Sequence, residues 1–319
     1  MEFLIKKTTE LSCEEKQGIL DLFHRIFEKE RSEAVFDNQY LQNPFGFCYH
    51  SMIVDQGKIV GAHTAFPSYY WFGGEKVKAY ITGDTMVDKG YRDGMSFYDM
   101  TKGLDNHMKD EGFAFGFGFP NDKAHPVFIK AKLSKDIGRL DTYILPYRMG
   151  GIKKGLSILN PLSMLFSRIV NWNYSRGASE QVHVAFIHKD EATYNITRYN
   201  RMDANYQHVT FDGSEFYYKV MEYKGVRTAF LIDVVEKSES NFCKAVSYIL
   251  KNESKNFDLL MYVGHPGKNF KKLGLLKIPR KYEPKHFYFT GTVLAKRVDL
   301  TSFLNVENWD VNLSDYDII

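Results

Sequence analysis

The chain has 319 residues, 44% of them apolar and 25% charged, which excludes a disordered or fibrous class and provides material for two domain cores. The 42 Lys and Arg against 39 Asp and Glu leave a net charge of +3 with no basic run, so nucleic acid is not an expected partner. Cys13, Cys48 and Cys243 have neither disulfide-framework nor metal-ligand spacing, which points to the reducing cytoplasm and to no metal, while Met1 to Lys7 lacks secretory character and no apolar run reaches the roughly 20 residues of a membrane span.

Ser12-Cys13-Glu14-Glu15 reads as a capping box, and Ile19, Leu22, Phe23, Ile26 and Phe27 then recur on one helical face. After the Asn43-Pro44-Phe45-Gly46 turn, Ser51 to Val54 and Lys58 to Ala65 form a hairpin about Asp55-Gln56-Gly57, and Phe72-Gly73-Gly74-Glu75 turns the chain into a further strand, Val77 to Val87. A helix opens near Ser96 with Phe97, Met100, Leu104 and Met108 on one face and stops at Gly112. Phe113 to Phe119 alternates large with small residues as a buried strand, and a helix is expected from about Asp122 to Leu133.

Between Arg148 and Arg176 lies an apolar, Pro161-interrupted segment, read as a linker whose helix packs between two domains rather than on a membrane surface. The second half repeats the order: strands Glu215 to Tyr223 and Val226 to Val235, a helix carrying Phe242, Ala245, Val246, Ile249 and Leu250, and a buried strand Phe257 to Val263. A helical Lys268 to Gly274 and a strand Phe287 to Leu294 complete it. The two halves read as two copies of one α/β unit, with domains at 1–147 and 181–319 joined by a linker over 148–180.

The segment from Asp84 to Ser96 carries the chemistry. A strand end, a glycine-bearing turn and a helix N-terminus present free backbone N–H groups and the positive end of a helix dipole, an arrangement suited to a pyrophosphate. Gly94 admits close approach of a phosphate, and Arg92 adds charge. His63, His107, His125 and His265 lie in unrelated contexts and suggest no ligand set. The aromatic run Phe66 to Phe72 suits either strand packing or one wall of an acceptor pocket.

From about Leu4 to Tyr147 the chain resembles the GNAT acyltransferase superfamily. The resemblance rests on Gly57-Lys58-Ile59-Val60-Gly61, on Asp84 to Ser96, where Gly94 and Ser96 match the end of the family's pyrophosphate loop, and on Asn121 with Ala124 three residues on. Tyr91 stands where that loop usually has Arg or Gln, a role that Arg92 fills if the loop is one residue shorter. Phe128 stands where the family commonly has a tyrosine that protonates the leaving thiolate.

The resemblance implies an α/β (α+β) fold of two GNAT-like units, each a mixed, mostly antiparallel sheet flanked by helices. It further implies acetyl-coenzyme A as co-substrate, held by Met86, Val87, Arg92, Asp93, Gly94, Met95, Ser96, Asn121 and Phe128, with acyl transfer to a small-molecule or amino-sugar amine. Asp84 is the expected general base, Tyr98 the expected acid in place of Phe128 with Tyr91 as the other candidate, and backbone N–H groups near Met86 and Val87 the polarisers of the thioester carbonyl. In the second unit, Glu236 to Asn241 has two carboxylates and no glycine where a pyrophosphate would lie, so no coenzyme is expected there. Two other readings fit the same resemblance: a GNAT-fold binding or scaffold protein without turnover, and a Fem-like aminoacyl transferase.

Overall fold

In the computed structural model, which describes residues 1–92, 94–194, 198–202, 204–283 and 285–316, the chain opens as its caps and periodicity dictate. Strand β1 (Glu2–Lys7) leads to α1 (Cys13–Phe27), where the Ser12 hydroxyl accepts from the Glu15 N–H at 3.2 Å and the Glu15 carboxylate accepts from the Ser12 N–H at 2.9 Å. A second helix, α2 (Glu33–Leu41), follows under the Ser32 cap; its weak amphipathicity hides it from periodicity. Then come β2 (Tyr49–Asp55), β3 (Lys58–Phe72), β4 (Glu75–Val87), α3 (Met95–Asp110), β5 (Phe115–Gly118), α4 (His125–Lys130) and β6 (Lys135–Arg139).

The helix expected over Asp122–Leu133 is shorter because the Asn121 carboxamide oxygen accepts from the Lys123 and Ala124 N–H groups, holding those residues in a turn. Lys132, at φ 55°, ends it in the left-handed region.

The chain continues through β7 (Asp141–Pro146), α5 (Met149–Ile152), α6 (Asn160–Ser175), β8 (Ile187–Lys189), α7 (Glu191–Tyr194), β9 (Gln207–Phe211), β10 (Ser214–Tyr223), β11 (Val226–Val234), α8 (Glu239–Asn252) and β12 (Leu259–His265). It closes with β13 (Leu276–Lys277), β14 (Tyr288–Val293), α9 (Leu300–Phe303) and β15 (Val311–Asn312). The stretch Lys268 to Gly274, expected to be helical, is turn and irregular chain; Pro266 and Gly267 before it and Gly274, at φ 70°, after it leave too short a span.

Two compact units form, and they interleave along the chain in place of the consecutive blocks 1–147, 148–180 and 181–319. The first comprises Met1–Arg139, Phe186–Ala204 and Phe287–Val306; the second comprises Leu140–Ala185, Asn205–His286 and Glu307–Ile319. Each is built on a mixed, mostly antiparallel sheet flanked by helices. The first sheet runs β1-β2-β3-β4-β5-β14-β6, with β8 on the end of β3, and its parallel pair is β4 with β5, joined through α3. The second runs β13-β7-β12-β11-β10-β9, with β15 on β12, and its parallel pair, β11 with β12, is joined through α8. The strand expected at Phe287–Leu294 therefore completes the first sheet, pairing Thr290 with Gly118 and Val293 with Phe115. A local residue pattern specifies a strand but not the sheet it joins.

In the first unit the two faces of the sheet are covered differently. Ile19, Leu22, Phe36 and Tyr40 of α1 and α2 pack on Met52, Ala62 and Met86, while Met100, Leu104 and Met108 of α3 pack on the opposite face against Ile53, Val60, Tyr80 and Val87.

Candidate active site

Strand β4 organises the site. Its parallel pairing with β5 runs from Ala79↔Phe115 to Thr82↔Gly118, where β5 ends, while β4 continues to Val87 with that edge open. Just past the split, Thr64 pairs Gly83 and Ala62 pairs Met86, so Asp84 and Thr85 of β4 oppose the single His63 of β3. This bulge sets Asp84 at φ 45°, a left-handed conformation that costs an ordinary residue energy and re-aims its side chain. Beyond it the Asp88 N–H donates to the Val60 carbonyl at 2.8 Å. Successive amides of an extended strand point to opposite sides, so the Val87 N–H faces the open edge, and the Val87 carbonyl there accepts from Arg92 Nε at 2.9 Å.

The alternation in Phe115-Gly116-Phe117-Gly118 is an adaptation to this edge. A Cβ on Gly116 would stand 2.2 Å from Tyr80 Cζ, and one on Gly118 would stand 2.2 Å from Thr82 Oγ1. The glycines thus admit the Tyr80 ring and the Thr82 hydroxyl on the α3 side of the sheet. Tyr80 is fully buried and donates to Asp105 Oδ1 of α3 at 2.6 Å, which locks helix to strand.

Gly94, at φ 80°, is the N-cap of α3 and supplies no side-chain cap; a Cβ there would meet nothing within 4 Å. The N-terminus of this 16-residue helix, the positive end of its dipole, follows closely on Arg92, whose guanidinium is tied to the Val87 carbonyl. Met95 is 71% exposed, whereas Ser96 is buried with its hydroxyl 3.9 Å from Met1 Sδ. Asp93 lies outside the described residues. Tyr98 is exposed and shares a helix flank with Thr101 and Asp105, by its spacing of three and seven residues, which turns it to the β4 side of α3. Tyr91 is engaged elsewhere: its hydroxyl donates to Asp55 Oδ2 at 2.7 Å.

Phe128 of α4 packs edge-on to Phe97 at 5.2 Å between ring centroids and lies 6.3 Å from His63. His63 was dismissed by sequence reasoning, and nothing in its local context marks it. It is fully buried, its Nδ1 lies 2.7 Å from Thr85 Oγ1, and its Nε2 has no partner among the described residues. Burial pushes its pKa down to about 4, so it is neutral.

On the α1–α2 side, Asp84 is held by groups that carry no sequence signal. Arg31 Nη1 donates to Oδ2 at 2.9 Å and Nη2 to Oδ1 at 3.2 Å, Gln39 Nε2 donates to Oδ2 at 3.3 Å, and the Tyr40 hydroxyl donates to Oδ2 in a short bond. Burial and the Asp84 charge raise the Tyr40 pKa well above its usual value, so the phenol keeps its proton. Three of the four bonds fall on Oδ2, which leaves Oδ1 with the remaining lone pair.

Asp84 also stands between two openings. Arg31 lines a groove of about 480 Å³ with Gln17, Asp21, His24, Glu30 and Glu33, and Gln39 lines a cavity of about 20 Å³ with Asn43, Phe66, Ser68, Ile81 and Arg198. The Gln39 Oε1 and Ser68 Oγ atoms on the cavity are buried and without a partner among the described residues. Of the aromatic run Phe66 to Phe72, Phe66 is the aromatic side chain on this wall, beside Pro67 and Ser68.

In the second unit the equivalent helix terminus is filled by the protein. Ser238 caps α8 by accepting from the Asn241 N–H at 3.1 Å, and the Glu239 carboxylate accepts the N–H groups of Lys271, Lys272 and Ser179 at 2.6, 2.9 and 3.1 Å. Burial raises the Glu239 pKa, but these backbone bonds outweigh it and hold the group anionic.

Residues 7–128 match the family model described as an acetyltransferase (GNAT) domain. The chain is similar in fold to an Enterococcus faecalis protein described as a conserved protein of unknown function and probable N-acyltransferase, with 13% identity, 93% of this chain and 74% of that one covered, and a TM-score of 0.59. GCN5-related N-acetyltransferases from Anabaena variabilis (11% identity, 92% and 73% covered, TM-score 0.58) and Kribbella flavida (11%, 92% and 72%, 0.59) are similar to the same extent. No curated protein matches the chain in sequence.

Proposed function

We propose that this chain, a two-lobed protein of the GNAT superfamily, binds acetyl-coenzyme A along the open edge of β4 and transfers the acetyl group to an amine that enters from the α1–α2 side. Acyl-coenzyme A-dependent acetyl transfer is the trait of that family. The observation that carries the reading is the split of β4 from β5 at Thr82↔Gly118, with β4 continuing past it toward the N-terminus of α3 at Gly94. A pyrophosphate fits there against the N-terminus of α3 and Arg92, with Asn121 fixing the turn into α4. The pantetheine arm lies along the β4 edge past the end of β5 at Gly118 and against Phe128. The Val87 N–H polarises the thioester carbonyl, with Met86 anchoring that strand end in the core.

The amine attacks the carbonyl carbon directly, the carbon–sulfur bond breaks, and no covalent enzyme intermediate forms. Asp84 Oδ1 takes the proton released by nitrogen, and the Tyr98 hydroxyl gives one to the departing thiolate. Asp21, Glu30 and Glu33 around the outer groove favour a cationic amine. The second unit takes no coenzyme, because Glu239 occupies its helix terminus.

Calorimetric titration of the purified chain with acetyl-coenzyme A tests the donor site. Binding should be lost in Gly94→Glu, which puts a carboxylate where the pyrophosphate lies; retained affinity in that variant would remove the loop from the site. A second reading, a coenzyme-binding protein without turnover, is favoured by Phe128 and by the four donors on Asp84. Thiol release from acetyl-coenzyme A in the presence of amines separates the two.

A further inference from the structure

Helix α6 is turned inside out. Its polar residues Ser163, Ser167 and Asn171 are buried and bonded inward: both serine hydroxyls donate to the Pro146 carbonyl, at 2.7 and 2.8 Å, and Asn171 Nδ2 donates to Ser247 Oγ at 2.6 Å. Its large apolar residues face out. Leu162, Leu165, Phe166, Ile169 and Trp172 are all exposed, Trp172 by 55%, and Ile158 in the turn just before the helix is 87% exposed. At 3.6 residues per turn these five helical positions form one stripe about 120° wide. A helix on a water-facing surface ordinarily turns such a stripe to its core; here only Met164 and Val170, on the margins, reach the second unit's core.

The charge around the stripe has one sign. From Thr142 to Ser179 the sequence contains no Asp or Glu, and Lys153, Lys154, Arg168 and Arg176 of that span are exposed. The Arg176 guanidinium lies 3.8 Å over the Trp172 ring, placing an aromatic and a cation together at the C-terminal end of the stripe. An apolar band bordered by cations with a tryptophan at its edge matches the layering of a bilayer surface, where acyl chains lie beneath anionic headgroups.

We propose that α6 is a peripheral membrane contact that lies in the plane of an anionic lipid surface, with Leu162, Leu165, Phe166 and Ile169 in the acyl boundary and Lys153, Lys154, Arg168 and Arg176 on the headgroups. A second copy of the chain fits less well, since two such faces would bring cations against cations with no acidic partner in the surrounding span. Among the described residues no helix is long and apolar enough to cross a membrane, so α6 lies on the surface rather than through it. This inference does not depend on acetyl transfer.

The test is co-sedimentation of the full chain with vesicles of phosphatidylcholine and phosphatidylglycerol, compared with vesicles of phosphatidylcholine alone. The chain should pellet with the anionic vesicles and be released by high salt. The Leu165→Ser, Phe166→Ser double variant should bind on the order of a hundredfold more weakly. The Lys153→Gln, Lys154→Gln variant should lose on the order of tenfold. All these side chains are exposed, so both variants should melt at the wild-type temperature or above. Failure of the wild type to pellet with anionic vesicles overturns the proposal, and so does undiminished binding by the double variant. A chain that stays off vesicles but runs as a dimer, dissociated by Phe166→Ser, would assign the stripe to a contact between copies instead.

Discussion

Replacing Asp105 by Asn should stabilise the protein near neutral pH and leave its stability in acid unchanged. Asp105 is 3% exposed on α3, and burial lifts its carboxyl from an ordinary 3.8 to about 6, against the opposing pull of the Tyr80 hydroxyl and Lys102. The folded state therefore holds this proton more tightly than the unfolded chain does. Its contribution to stability is complete below the unfolded value and is lost as pH rises through about 6. The separation corresponds to a cost of ~3 kcal/mol for keeping the anion in the folded state at about pH 7.5.

Asparagine reproduces the protonated acid: its oxygen still accepts from the Tyr80 hydroxyl, its nitrogen stands where the acid proton would be, and it carries no charge. The expected gain in urea unfolding is about 1–3 kcal/mol at about pH 7.5 and close to nil at about pH 4. His50 and His63, both pushed down to about 4 by burial, destabilise the fold as pH falls below about 6.5, but they do so in both proteins, so the difference between them isolates Asp105. If the Asn variant proves less stable near neutral pH by as much as it is in acid, the buried carboxylate is not the liability described here.

Gly116→Ala should cost about 3 kcal/mol, because a Cβ at 2.2 Å from the Tyr80 ring forces that ring off Asp105; an unchanged urea midpoint would refute the packing argument. Arg31→Met should destabilise by about 2–4 kcal/mol by stranding the largely buried Asp84 carboxylate, and most of that loss should vanish when Asp84→Asn is also present, a coupling read from a double-mutant cycle. Asp84→Asn alone should slow acetyl transfer by about a hundredfold with acetyl-coenzyme A affinity unchanged; a matching fall in affinity would place Asp84 in donor binding rather than proton transfer.

The elements that an isolated sequence specifies are those whose stabilisation is local. The Ser12–Glu15 box, the one-face periodicity of α1, α3 and α8, and the glycine turns of both hairpins each record a short-range interaction, and the repeated strand–helix–strand order places one parallel pair in each sheet. Local chemistry likewise shows the α3 terminus behind Gly94 and the two carboxylates that would exclude a second anion site. Four features were decided only by tertiary structure. The stretch Phe287–Leu294 reads as a strand, but which sheet it completes depends on which edge is free. Asp84 is in a charged cluster because α2, a helix of little amphipathicity, and Arg31 just before its Ser32 cap bring Arg31, Gln39 and Tyr40 to it from 44 to 53 residues away. His63 is neutral because tertiary packing buries it, and a bulge on its neighbour strand sets Thr85 against it. The periodicity of α6 is readable as an apolar stripe, yet which face turns inward was set by the Pro146 carbonyl, whose two serine bonds hold the polar side down. Hydrogen bonding to a distant carbonyl has no period, and so leaves no trace in the order of residues.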